Sequence, residues 1–187
     1  MRRLLLLLIF FPAVLYAQHT CYLGVGMISS FANTTEDNNR HTSNNISDIG
    51  IYYGNNLIIN DYLATVIEVF YLNNRLVLSS DETKRFELHQ NIGIGVKPGV
   101  YYQKHGIYLS AGMLAVYVFD KDEESGSQLD HFDESYFYGI EYNYDFTSRF
   151  SCNFGILFTE FESISNWTNH TLTDFSVLQL TIHYNLY

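Results

Sequence analysis

Tyr138-Gly139-Ile140-Glu141-Tyr142-Asn143-Tyr144-Asp145-Phe146 decides how this chain must be read. Its even positions are Tyr, Ile, Tyr, Tyr and Phe, while its odd positions are Gly, Glu, Asn and Asp. In a β-strand successive side chains point to opposite faces, so a strict period of two describes a strand whose faces meet different surroundings. Working outward, the same alternation recurs eight times, near 21 to 31, 47 to 59, 62 to 72, 86 to 103, 107 to 119, 135 to 146, 150 to 161 and 174 to 187. Asn60-Asp61, Lys104-His105-Gly106 and Thr147-Ser148-Arg149 read as tight turns, and 32 to 46, 73 to 85, 120 to 134 and 162 to 173 as long polar loops. Pro98 removes a ladder donor in the fourth block, but the parity of its neighbours continues unchanged as far as Lys104. The turn is therefore expected there and not at Pro98-Gly99.

One face of every block is free of charge. It carries Leu23, Val25 and Met27 in the first, Ile92, Ile94 and Val96 in the fourth, and Leu178, Leu180 and Ile182 in the eighth. Arg or Lys facing lipid at mid-depth costs about 2 to 4 kcal/mol, so an uncharged face is what a bilayer selects. The other face holds Asp48, Glu68, Glu87, His89, Asn91, Lys97, Glu141, Asn143, Asp145, Gln179 and His183, together with nine of the 12 glycines. Small residues and a few charges suit the confined interior of an eight-stranded closed sheet. Aromatics gather toward strand ends, at Tyr117, Phe119, Tyr136, Phe146 and Phe150, as they do in interfacial girdles.

Composition agrees. Of 187 residues, 47% are apolar, 17% aromatic and 16% charged, which fits one domain and argues against disorder. Residues 1 to 17 read as a signal peptide, with Arg2 and Arg3 before an apolar run and a small-residue site at Ala17. Removing them leaves 8 basic against 20 acidic residues, a net charge of −12 on 18 to 187. Phosphate backbones require a basic face, so nucleic acid is excluded as a partner. Gln18-His19-Thr20 before Cys21 lacks the small residues of a lipoprotein processing site.

With Ile59-Asn60-Asp61-Tyr62-Leu63, Tyr138-Gly139-Ile140-Glu141-Tyr142 and an alternating last strand ending in an aromatic, the mature chain resembles the eight-stranded outer-membrane barrels of Gram-negative bacteria. That group includes the opacity proteins and the barrel of outer-membrane protein A. The resemblance implies an antiparallel up-and-down transmembrane β-barrel, export through the periplasm, contact with outer-membrane lipid and lipopolysaccharide, and loops outside the cell that meet a host or surface ligand. The eighth block reaches the chain end, so no periplasmic domain is expected to follow. A secreted lipocalin-like carrier would show the same asymmetry inside out. Its water-facing side, however, would be dense in Lys and Glu, whereas here it would be Gly, Ser, Asn and Tyr.

No catalytic, cofactor or metal site is expected. His41-Thr42-Ser43-Asn44 resembles the His-x-Ser-Asn of lipid A deacylase barrels, yet it falls in the first long loop rather than on a late strand. The acidic stretch with Asp120, Asp122, Glu123, Glu124, Asp130, Asp133 and Glu134 lacks EF-hand spacing and reads as a solvated loop. Sequons at Asn33, Asn45, Asn166 and Asn169 read as polar loop residues in a bacterial barrel. Cys21 and Cys152 lie on strands one and seven with strand eight between them, a gap of roughly 10 Å, so free thiols are expected. Interior charges must pair or be hydrated, and Glu68, His89, Lys97, Glu141 and His183 are the candidates for a structural polar network, with a gate for slow ion leakage as the second reading.

Overall fold

The computed structural model describes residues 18 to 36, 39 to 79, 84 to 121, 128 to 163 and 171 to 186. They form eight strands: β1 (Gln18–Glu36), β2 (Asn39–Ile58), β3 (Leu63–Ser79), β4 (Lys84–Tyr102), β5 (His105–Lys121), β6 (Gln128–Asp145), β7 (Phe150–Ser163) and β8 (Thr171–Asn185). Each pairs antiparallel with the next, and β1 pairs with β8 to close a barrel. Closure satisfies every ladder, as lipid requires. Following the register from Tyr22 through Gly54, Glu68, Gly95, Gly112, Phe137, Thr159 and Phe175 leads back to β1 at Ala32, a stagger of ten residues. That stagger over eight strands tilts them by roughly 40° and leaves an interior that side chains fill.

Three tight turns join the strands at one end, and side chains explain two of them. Asn60 Oδ1 accepts from the amides of Tyr62 and Leu63 at 2.9 and 2.8 Å. Thr147 Oγ1 accepts from those of Arg149 and Phe150 at 3.1 and 3.0 Å. The third turn is Gln103-Lys104, one residue earlier than the sequence pattern suggested, with Gln103 at φ 56°. Pro98 leaves Lys97 and Pro98 out of the β4–β5 ladder, but Val96↔Ala111 and Gly99↔Tyr108 keep one register across the gap.

The opposite end departs from expectation. Residues 32 to 36, 39 to 46, 73 to 79, 84 and 85, 120 and 121, 128 to 134 and 171 to 173 are paired strand and not loop. In sequence these segments carry no strict period of two, so no alternation marks them. In β2 a bulge adds to this, because Ile28 pairs with Asp48 while Ser29 pairs with Ile46, leaving Ser47 unopposed and reversing the parity. His41 and Ser43 consequently lie in β2, paired with Thr34 and Ala32, and not in a loop. Residues 1 to 17, expected from sequence to be a signal peptide, Asp122, Glu123, Glu124, the sequons at Asn166 and Asn169, and Tyr187 lie outside the described residues.

The uncharged face points out of the barrel. Leu23, Val25, Met27, Ile49, Ile51, Ile92, Ile94, Ile107, Leu109, Leu180 and Ile182 are all exposed, Ile94 to 54%. The inward face holds Glu68, Lys97, Glu141, Asn91 and Gln179, none more than 3% exposed. A carrier with an apolar cavity is therefore excluded. Cys21 and Cys152 are free, as expected. Ile94→Arg should lower the unfolding free energy in bilayers by about 2 to 4 kcal/mol, measured by urea titration in vesicles, with Ile94→Ser costing less. An unchanged midpoint for Ile94→Arg would mean that this face is not in lipid.

Candidate functional site

The interior is built in tiers. Just above the turn end, Lys97 from β4 reaches across the lumen to Glu141 on β6, with Nζ 2.7 Å from Oε1 and 2.8 Å from Oε2, and also contacts Glu68 on β3. Tyr22 on β1 donates its hydroxyl to Glu68 Oε2, and Asn153 on β7 donates Nδ2 to Glu141 Oε2 at 2.9 Å. Three neutral or cationic donors thus converge on two carboxylates, the five residues coming from five strands. Lys97 supplies one positive charge against two acids, so the hydroxyl of Tyr22 and the amide of Asn153 are what complete the hydration shell that burial removed.

Aromatic rings form the next tier. Tyr52 donates to Gln179 Oε1 at 3.1 Å and lies 6.1 Å from Phe70, whose ring meets Phe137 edge-on at 5.2 Å. These rings sit where glycine leaves room. A Cβ on Gly93 would come within 2.2 Å of Phe70 Cζ, and one on Gly54 within 2.2 Å of Tyr22 Cζ. Phe70, Phe137 and Tyr22 cover a neighbouring strand's bare backbone, whereas the Tyr52 ring covers Gly50 on its own strand. Higher still, Ser135 Oγ and Thr159 Oγ1 lie 2.9 Å apart near buried Asn91 and Val116.

Of the residues singled out from sequence, Glu68, Lys97 and Glu141 come together in one cluster. His183 stacks on Tyr22 at 4.3 Å and pairs Nε2 with Thr181 Oγ1 at 2.9 Å, placing it beside the cluster through the ring. His89 does not join them, since it lies eight residues further along β4, about 26 Å of strand. It is buried in the tier toward the far end. The sequence reading missed Tyr22, Asn153 and the ring tier. Tyr52 between Gly50 and Gly54 was the available signal, a large ring flanked on its own face by glycines.

Below the cluster, on the turn side, a cavity of about 190 Å³ is lined by residues of all eight strands. Tyr101 donates to Asp145 Oδ2 at 2.5 Å and Asn143 Nδ2 to Asp145 Oδ1 at 2.9 Å, so Asp145 is held at its mouth. No group of three metal-ligating side chains occurs among the described residues.

Residues 4 to 185 match the family model described as outer membrane protein beta-barrel domain. The chain belongs to the outer-membrane β-barrel family. Its solved relatives in shape include OprG from Pseudomonas aeruginosa, with 10% identity, a TM-score of 0.59 and coverage of 90% of this chain and 96% of that one. Ail of Yersinia pestis has 10% identity, a TM-score of 0.57 and coverage of 90% and 99%. Neisserial surface protein A has 13% identity, a TM-score of 0.56 and coverage of 89% and 98%. A search of curated protein sequences returns no match. This barrel is accordingly a protein of the Gram-negative outer membrane, with its short turns in the periplasm and the long ends of its strands outside the cell.

Proposed function

We propose that this outer-membrane barrel is a plugged, non-enzymatic scaffold that presents its extracellular strand ends to a surface partner. The observation that supports it best is the stacked interior: a five-residue ionic tier of Tyr22, Glu68, Lys97, Glu141 and Asn153 lies beneath the ring tier of Tyr52, Phe70 and Phe137. A lumen closed twice over leaves the extracellular rim as the place for recognition, on a frame too rigid to move it. Glu68, Lys97, Glu141 and His183 serve in this reading as structure, with His89 part of a separate upper tier.

Charge narrows the partner. Ail, a barrel of the same shape, has been crystallised with the heparin analogue sucrose octasulfate. Residues 120 to 134 of this chain carry seven acids and one lysine, which would repel a sulfated ligand. A basic protein surface, or lipopolysaccharide phosphate bridged by divalent cations, fits better. The refolded protein in planar bilayers should show no steady conductance, and on whole cells it should bind a basic peptide array in low salt but not heparin. Steady open channels would overturn the plug, and heparin capture would overturn the charge argument.

A further inference from the structure

Closure of the barrel does not extend over the full length of its strands. The β2–β3 ladder stops at Ile49↔Asn73, although β2 begins at Asn39 and β3 runs on to Ser79. The β6–β7 ladder stops at Tyr136↔Glu160, although β6 begins at Gln128 and β7 runs on to Ser163. Continuing that register would set Glu134 opposite Glu162, and like charges directly opposite destabilise a strand pair. The remaining ladders continue outward, so the extracellular ends form two four-stranded sheets among the described residues, β3 to β6 and β7 through β8 and β1 to β2. The two breaks are four strands apart in a ring of eight, on opposite sides of the molecule.

The two sides differ in sign. On the outer ends of β2, β3 and β4, residues 39 to 47, 74 to 79 and 84 to 90, the sequence puts Arg40, Arg75, Lys84 and Arg85 against Glu87 alone. Counting Asp81 and Glu82 between β3 and β4 as well, four cations against three acids still leave +1. The outer ends of β6, β7 and β8, residues 128 to 135, 160 to 163 and 171 to 175, carry Asp130, Asp133, Glu134, Glu160, Glu162 and Asp174 with no Lys or Arg, a formal charge of −6. Strand edges are where a second chain docks, and complementary charge selects which edge meets which. We propose that the barrel associates head to tail with further copies of itself, the β2 to β4 ends of one copy meeting the β6 to β8 ends of the next. Copies in one membrane share one orientation, so both sides meet at the extracellular end. Because the two sides lie opposite each other, the contact is heterologous and builds open rows in the membrane plane. It rests on the placement of these ends outside the cell as the recognition surface, and makes another copy of the chain the basic protein surface that the acidic ends meet.

The test mixes ¹⁴N and ¹⁵N preparations of the refolded barrel in phosphatidylcholine vesicles and adds a carbodiimide, which joins an amine directly to a carboxylate. Mass spectrometry should find Lys84 joined to acids of β6 or β7 in peptides that combine both isotopes. Arg40→Glu with Arg75→Glu should cut their yield about tenfold or more, because like charges then meet at the contact, and so should Glu160→Lys with Glu162→Lys. Arg149→Glu, the same kind of change at a periplasmic turn, should leave the yield as it was. Mixing the two double variants restores one intact contact. Crosslinks should then return, with Lys84 always from the barrel that carries Glu160→Lys and Glu162→Lys. Migration on unboiled gels checks that each variant folds. The association is overturned by any of four results: no mixed-isotope product from the unaltered barrel, undiminished yield in either double variant, no return on mixing, or Lys84 from both partners in the mixture. Binding of basic peptides without mixed-isotope products would leave the scaffold standing and remove this association alone.

Discussion

Lys97→Ala should destabilise the barrel by about 3 to 5 kcal/mol, because it leaves Glu68 and Glu141 facing each other across the lumen without the cation that both contact. The cost comes from the buried charge left behind and not from the pair's own worth. Replacing the whole cluster should therefore do less harm than removing its centre: Lys97→Met combined with Glu68→Gln and Glu141→Gln should recover most of the loss. Reversible urea unfolding in vesicles measures both. A loss under about 1 kcal/mol for Lys97→Ala would mean that water already reaches these carboxylates and that the tier is not a seal.

What the sequence made legible follows from where its two environments differ most. In β4, Ile92, Ile94 and Val96 alternate with Asn91, Gly93, Gly95 and Lys97, and this contrast between lipid and lumen fixes strand, face and register together. Parity alone also put Lys97 and Glu141 on one face, and closure of eight strands brought them into contact. Two features escaped it. The outer strand segments 73 to 79 and 128 to 134 carry no strict period of two, so nothing in their pattern separates them from loops. The Ser47 bulge hid the start of β2 by reversing which residues point inward. The ring tier escaped for another reason, since Tyr52, Phe70 and Phe137 resemble lipid-facing residues in every respect except parity. Which ring covers which glycine depends on cross-strand register, set by closure and absent from any single strand.

That register carries the largest expected effect. Gly112 lies on the inner face of β5 opposite Gly95, and a Cβ there would meet the Ile94 carbonyl oxygen at 2.1 Å and Gly95 Cα at 2.7 Å, with Phe137 Cε1 at 2.6 Å. A ring can turn away, but the β4 backbone cannot retreat without breaking the ladder to β3 or β5. At Gly54 the atoms in the way are Cζ, Cε1 and the hydroxyl of Tyr22, the far end of one side chain. Gly112→Val should accordingly cost more than about 4 kcal/mol and abolish the compact form of the barrel that migrates faster on unboiled denaturing gels. Gly112→Ala should be worse than Gly54→Ala, even though the latter displaces Tyr22 from Glu68 and strips that carboxylate of a donor. Urea midpoints of the two alanine variants decide the order. A reversal would show that the ring and its hydrogen bond, and not the close approach of two backbones, hold β4 and β5 together at this level.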